Sequence, residues 1–593
     1  MTQYQLSFGK ATQQIIDVSL TFEASSGPVE LCLPHWRPGR YTEQPFAKNI
    51  ADLRVSGAGG ESLPWEKTTS HTWRIHNHSN QTITVNYSAF ATQKDAGGTY
   101  LDDSLIYLNG ITFLLYRKDR VEDPCTLSLD IPKDYLLGGG LSEKAMPYTC
   151  ASYHELVDTP VLASPTLEHH LVPFVDVDIH LWIQGNHTLD IDKLTQDIRA
   201  YSQAQLALFG DCPVKEYHYL YLFWPHPYRH GVEHHNSTVI VMGPGLSMNS
   251  PEAYKSLLEI SSHEFFHTWN VKALRPADMY PYDYGQHNYS RLHYVTEGVT
   301  TYYGDLMLWK SGVWDWDQWV LSINGELNRH FGMGGKDHIS LEEASFDSWV
   351  NGYDTTGFPH RRISFYTKGY LVAMIADFMV RSSAGGAQNL DDVMYAMYQE
   401  IAKSGRGYTA VDYQTQLERA SGISMDDFAT AFLAGVDPLE PVLTQIAQAA
   451  GMKLLRVPPQ NEAMARLGLD VSPLPDGTVK VVSIWPGSPL ESLPIYPGDQ
   501  ILSINGQSLA HDFEHLLISA DARKTVELTT VHLANIRSIS VMPSQEPLAA
   551  VPQFISLIDA TPEQLLFRQQ WKKAGGHARL LADDIPSPSN SSR

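Results

Sequence analysis

The sequence predicts a multidomain fold: an antiparallel β domain first, an α+β and then mainly helical domain in the middle, and a small domain of short strands near the C-terminus. Three observations predict it. A chain of 593 residues exceeds what one hydrophobic core supports. Its hydrophobic pattern shifts from a period of two to a helical period near residue 175, and the helical pattern stops near residue 458. Hydrophobic residues at 43% and charged residues at 18% are enough to fill several cores.

Residues 1–175 form the expected β domain. Runs such as Val18-Ser19-Leu20-Thr21-Phe22 and Thr82-Ile83-Thr84-Val85-Asn86-Tyr87 alternate apolar and polar side chains between Gly, Pro and Asn turns, the pattern of strands with one buried face. Residues 176–457 begin with a few strands and then turn helical, in stretches such as Glu252 to Lys272 and Lys368 to Arg381. Pro458-Pro459 ends that pattern. Residues 458–550 return to short strands between Pro-Gly and Asn-Gly turns, most clearly from Gly477 to Met542. Residues 551–593 read as a terminal helix from Ala560 to Lys573, opened by Thr561-Pro562-Glu563, and a Ser/Pro/Asn tail from Pro586 to Arg593.

The 43 Lys and Arg against 66 Asp and Glu give a net charge of −23, which repels phosphate and argues against a nucleic-acid partner. Four cysteines, Cys32, Cys125, Cys150 and Cys212, form no C-x-x-C pair, so neither a disulfide framework nor a thiolate metal site is expected. The first twenty residues lack the basic and apolar regions of a signal peptide, and no uncharged apolar run reaches the ~20 residues that span a bilayer. The expectation is a cytoplasmic protein without a membrane partner, or a periplasmic one if the N-terminus is truncated.

The chemistry concentrates in Ser261-Ser262-His263-Glu264-Phe265-Phe266-His267-Thr268-Trp269-Asn270. On a helix, residues four apart share a face, so His263 and His267 can present imidazole nitrogens to one ion while Glu264 reaches a water beside it. In a chain with 25 histidines the pentapeptide needs support from its context. Support comes from Tyr294-Val295-Thr296-Glu297-Gly298-Val299, a second candidate helix, whose Glu297 supplies the third ligand that a catalytic zinc requires. The metzincin alternative needs a third histidine shortly after the pentapeptide, where Asn270 and Lys272 stand instead.

With these residues the chain resembles the PDZ-bearing glycyl aminopeptidases, a family of gluzincin zinc metallopeptidases. The likeness rests on His263-Glu264-Phe265-Phe266-His267 continued by Trp269-Asn270-Val271-Lys272 and Arg275-Pro276, on Glu297-Gly298 with Thr301-Tyr302-Tyr303-Gly304-Asp305-Leu306, and on Leu33-Pro34-His35-Trp36-Arg37-Pro38-Gly39-Arg40-Tyr41. It implies a thermolysin-like catalytic domain over 176–457, one Zn2+ per chain, and a PDZ domain over 458–550. Phe365-Tyr366-Thr367-Lys368-Gly369 resembles the segment in which related aminopeptidases place a tyrosine hydroxyl on the oxyanion, which gives Tyr366 that role. Gly231-Val232-Glu233-His234 resembles the strand whose glutamate binds the substrate's α-ammonium, although the aminopeptidase N pattern reads Gly-x-Met-Glu-Asn there. Val481 to Pro489 and Tyr496 to Gly506 look like a bacterial PDZ domain, with Leu467-Gly468-Leu469 as the loop facing a C-terminal carboxylate.

The resemblance implies removal of small N-terminal residues, glycine or alanine, from peptides, with Glu264 as general base. Two readings compete with it. One is a zinc endopeptidase to which the PDZ domain delivers C-termini, and the other is a catalytically silent peptide-binding scaffold.

Overall fold

The computed structural model describes every residue except 142–143, 176, 354–357, 359–360, 511, 521–522 and 576–593. The tail expected over Pro586 to Arg593 therefore lies outside the described residues.

The first domain is β-sandwich-like. Its largest sheet runs Tyr148–Cys150, Cys125–Asp130, Thr2–Lys10, Ile15–Ala24, Gln81–Phe90 and Ile50–Ser56. The alternation read from the sequence is the burial pattern of the strands: Ile16, Val18, Leu20 and Phe22 point into the core and their neighbours do not. The expectation of an antiparallel domain needs one correction. Thr2–Lys10 pairs in parallel with Cys125–Asp130. Period-two alternation marks a buried face but carries no information on strand direction, and the partner lies more than a hundred residues away.

The middle domain opens with a five-stranded sheet in the order Glu168–Pro173, Asp178–Gln184, Glu216–Phe223, Ser237–Gly243, Tyr228–Glu233. Asp178–Gln184, Glu216–Phe223 and Ser237–Gly243 are parallel, the first two joined through the helix Ile191–Phe209. Tyr228–Glu233 is antiparallel and forms the edge. Glu168–Pro173, which falls inside the stretch assigned above to the first domain, hairpins with Asp178–Gln184 and so belongs to this second sheet. Behind the sheet lie the helices Pro251–Phe266, Thr300–Lys310, Trp316–Phe331 and Phe365–Ser383, with further helices beyond them.

The strand Glu216–Phe223 holds the first of these helices in place. Three tyrosines two residues apart face it: Tyr217 donates its hydroxyl to the Glu264 carbonyl at 3.1 Å, Tyr219 to the Ser261 carbonyl at 3.2 Å, and the Tyr221 hydroxyl lies 2.9 Å from Ser261 Oγ. Side chains two apart on a strand share a face, so all three hydroxyls can reach the same side of the helix.

The chain's end corrects the assumed division. Val551–Ser556 pairs antiparallel with Met452–Val457, from Val457 opposite Val551 to Met452 opposite Ser556. The following helix, Pro562–Lys572, buries Trp571 in the middle domain's core, its indole N–H 3.0 Å from Asp377 Oδ2. Residues 551–575 thus belong to the middle domain, and 458–550 is an excursion from it. That excursion has its own core, including Leu467, Leu469, Ile501, Phe513 and Leu528, under a sheet ordered Leu469–Pro473, Val479–Ile484, Gln500–Ile504, Val526–His532, Asn535–Val541. Among the described residues, no helix is long and apolar enough to cross a membrane.

Candidate metal centre

The helix Pro251–Phe266 starts where the sequence says a helix can start. Ser250 caps it by accepting the Ala253 amide, and Pro251 occupies the first turn, where its missing N–H costs nothing. It stops at Phe266, short of the Lys272 expected from periodicity. The chain turns away there because Asn270 is engaged elsewhere: its side-chain amide donates to the Val295 carbonyl at 2.8 Å and to Thr300 Oγ1 at 3.0 Å. His267 keeps helical backbone angles as the capping residue, so its i, i+4 relation to His263 survives.

Glu297 arrives on a π-helical turn, Tyr294–Val299, that leads into Thr300–Lys310. Such wide turns rotate a side chain out of ordinary helical register and recur at functional sites. The turn meets the helix Phe365–Ser383 through glycines: a Cβ on Gly298 would lie 2.5 Å from Gly369 Cα. This contact explains why Glu297 and Tyr366 are each followed closely by a glycine. Only two such residues let the backbones approach this far.

The donor atoms converge. His263 Nε2 and His267 Nε2 are 3.0 Å apart, and Glu297 Oε2 lies 3.7 Å from the first and 3.4 Å from the second. Tetrahedral zinc with ligand bonds of ~2.0–2.1 Å requires neighbouring donors about 3.4 Å apart, so the three atoms fit the ion. His267 Nδ1 donates to the Asn270 carbonyl at 2.8 Å, which fixes the ring and leaves Nε2 able to ligate a metal. The charge balance fits as well. Glu233, Glu264 and His267 also bring donor atoms within 4.8 Å of one another, so three buried carboxyl groups surround two imidazoles.

Burial acts on every group here. It pushes the Glu264 carboxyl up to about 8, aided by Glu233 and Glu297 and opposed by His267. It lowers His263 to about 4. Burial alone would lower His267 and raise Glu297, but their mutual attraction outweighs it, so without a metal the pair is an imidazolium beside a carboxylate.

A pocket of about 550 Å³ joins His263, Glu264, His267 and Glu297 to Gly231, Glu233 and Tyr366. Glu233, at the end of the edge strand, is buried, and among the described residues neither its Oε1 nor Glu264 Oε2 has a hydrogen-bond partner. The Tyr366 hydroxyl lies 3.5 Å from that of Tyr353. The strand approaches the helix Pro251–Phe266 closely because residue 231 is glycine: a Cβ there would stand 2.2 Å from Glu264 Oε1.

Sequence reasoning missed what the first domain contributes. The Pro38-Gly39-Arg40-Tyr41 turn closes the pocket at Glu233, where a Cβ on Gly39 would fall 2.4 Å from Oε2, and Tyr41 stacks on His293 at 3.9 Å. It also missed Asp158, which pairs with Lys272 Nζ at 2.6 Å and His234 Nδ1 at 3.1 Å, so that the first domain grips residues flanking both His267 and Glu233. Leu33 to Tyr41 had been noted only for its resemblance, and nothing in local spacing marks Asp158. In the 458–550 domain, Leu467 and Leu469 are buried in the core, and the Gly468 amide donates to the Met464 carbonyl at 3.0 Å.

This fold and this donor set define a class of protein. The chain is a zinc metallopeptidase. Comparison with family models narrows the class: residues 3–165 match the peptidase M61 N-terminal domain, and residues 256–372 match the M61 glycyl aminopeptidase domain. The crystal structure of an aminopeptidase N family protein from Idiomarina loihiensis superposes with a TM-score of 0.88 at 24% identity, over 97% of this chain and all of that one. An M1 zinc metallopeptidase from Deinococcus radiodurans aligns over 74% of this chain and 94% of its own, with a TM-score of 0.45 at 14% identity. No curated protein matches this chain in sequence.

Proposed function

We propose that the protein is an aminopeptidase that removes small N-terminal residues, glycine or alanine, from peptides, with one zinc held by His263, His267 and Glu297. The observation that carries this reading is Glu233. A buried carboxylate oxygen without a partner costs free energy, and here it faces the pocket that contains the metal ligands. A peptide's α-ammonium supplies the missing charge and hydrogen bonds. The turn at Gly39 packs against Glu233 Oε2 and holds the carboxylate in place at this end of the pocket.

When bound, zinc polarises the scissile carbonyl and acidifies a water. Glu264 Oε2, otherwise unpartnered, takes a proton from that water and returns it to the leaving amine nitrogen. Tyr366 donates its hydroxyl to the carbonyl oxygen as negative charge develops there. Glu233 orients the substrate so that its first peptide bond reaches these groups. The 458–550 domain is read as a PDZ module whose strand Leu469–Pro473 lies at the edge of its sheet and can accept an added strand. Because the Gly468 amide is committed to Met464, the amides around Leu467-Gly468-Leu469 are not all available to a carboxylate.

Paired peptides with free and acetylated N-termini test the proposal. The protein should hydrolyse the free forms and leave the acetylated ones, and Glu233→Gln should raise KM for free-amine substrates. Equal hydrolysis of both forms would instead support the endopeptidase reading.

A further inference from the structure

The edge strand that ends in Glu233 carries a second charged residue into the same pocket. Side chains two apart on a strand share a face, and Arg229, Gly231 and Glu233 all line the pocket. The Arg229 Nε–H donates to Ser256 Oγ on the helix Pro251–Phe266 at 2.9 Å, which leaves its terminal nitrogens free to donate. Among the described residues it has no ion-pair partner.

The other charges at this end of the pocket are accounted for. Glu259 pairs with Lys255 at 2.5 Å, and Glu326 with Arg329. Burial and the neighbouring Glu259 push the Asp305 carboxyl up, and it accepts a hydrogen bond from the Ser322 hydroxyl. Arg229, exposed at the mouth of the pocket, is therefore left to pair with a ligand.

We propose that Arg229 is a carboxylate-binding subsite that selects short peptides, tripeptides above all, by pairing with the substrate's free C-terminus while Glu233 holds its N-terminus. This rests on the aminopeptidase reading above. The four steps from Glu233 to Arg229 span about 13 Å of strand. An extended tripeptide measures about 10 Å from amine to carboxylate, and the flexible arginine side chain, released from Ser256, can span the remaining few ångströms. A dipeptide falls short of the guanidinium. A pentapeptide carries its carboxylate past it. Arginine suits the task because its planar donors match a carboxylate and stay charged at every relevant pH.

The test measures kcat/KM for di-, tri- and pentapeptides with N-terminal alanine, each as free acid and as C-terminal amide. For the tripeptide the free acid should be favoured roughly tenfold over the amide, carried by KM, with smaller ratios at the other lengths. Arg229→Gln, checked for unchanged zinc content, should bring the tripeptide ratio to one, and Arg229→Lys should restore part of it. A ratio already near one in the native protein, or one unaltered by Arg229→Gln, overturns the subsite and leaves the aminopeptidase reading standing. Hydrolysis of acetylated peptides only, or of none, removes the aminopeptidase reading and this proposal with it.

Discussion

Asp158→Asn should loosen the grip of the first domain on the active site. In the native protein Asp158 Oδ2 lies 2.6 Å from Lys272 Nζ, and Oδ1 lies 3.1 Å from His234 Nδ1. The Lys272 side chain is only 3% exposed, so removing the carboxylate strands a buried ammonium. Stranding a buried charge costs about 3–5 kcal/mol, and the 21% exposure of Asp158 places this case at the lower end, about 3 kcal/mol. Lys272→Met leaves Asp158 with His234 as its partner and should cost less, about 2 kcal/mol. The double variant strands no ammonium and should lose about 2 kcal/mol, against about 5 if the two sites were independent. Urea unfolding followed by tryptophan fluorescence measures all three. Burial alone would raise the Asp158 carboxyl, but Lys272 and His234 hold it well below the usual range. Its contribution is therefore complete above the ordinary carboxylate value of about 4 and lost only as pH falls below that, so the gap between native and Asp158→Asn should be flat from pH 5 to 8 and shrink in acid. A single variant within about 0.5 kcal/mol of native, or a double variant whose loss is the sum of the singles, would refute the reasoning.

Three further outcomes follow from the centre. Glu264→Gln should retain zinc by metal analysis and lose roughly 10²–10⁴-fold in kcat, whereas His263→Ala should lose the zinc itself. Chelation should abolish hydrolysis and added zinc restore it, with the circular-dichroism spectrum unchanged, because the His267–Glu297 ion pair persists without the metal. Gly298→Ala forces a methyl to 2.5 Å from the Gly369 backbone, where no side chain can move aside. It should cost about 2–3 kcal/mol, read as a lower melting temperature with reduced zinc content.

What could be read from the sequence was whatever has a short period. The i, i+4 histidines required a helix and obtained one, capped at the serine before Pro251, and alternation in Ile15–Ala24 gave the buried face of that strand. Glu297 could be proposed as a ligand because its context is local, but the π-helical turn that aims it was not visible. The pairing of Thr2–Lys10 with Cys125–Asp130, of Met452–Val457 with Val551–Ser556, and of Asp158 with Lys272 could not be read. Each joins segments far apart in the chain through contacts that leave no local periodicity. Gly39 was hidden for a related reason: it takes its meaning from Glu233, which approaches it only in three dimensions.

The ribbon of Met452–Val457 and Val551–Ser556 also bears on how such a chain can change over evolutionary time. The residues at its open end, Val457 and Val551, face each other across one ladder rung, so everything between them enters and leaves at a single doorway. A two-residue hairpin could bridge that gap. Deletion, duplication or exchange of the intervening ninety or so residues would then leave Trp571 seated and the ladder closed, making the small domain a replaceable attachment.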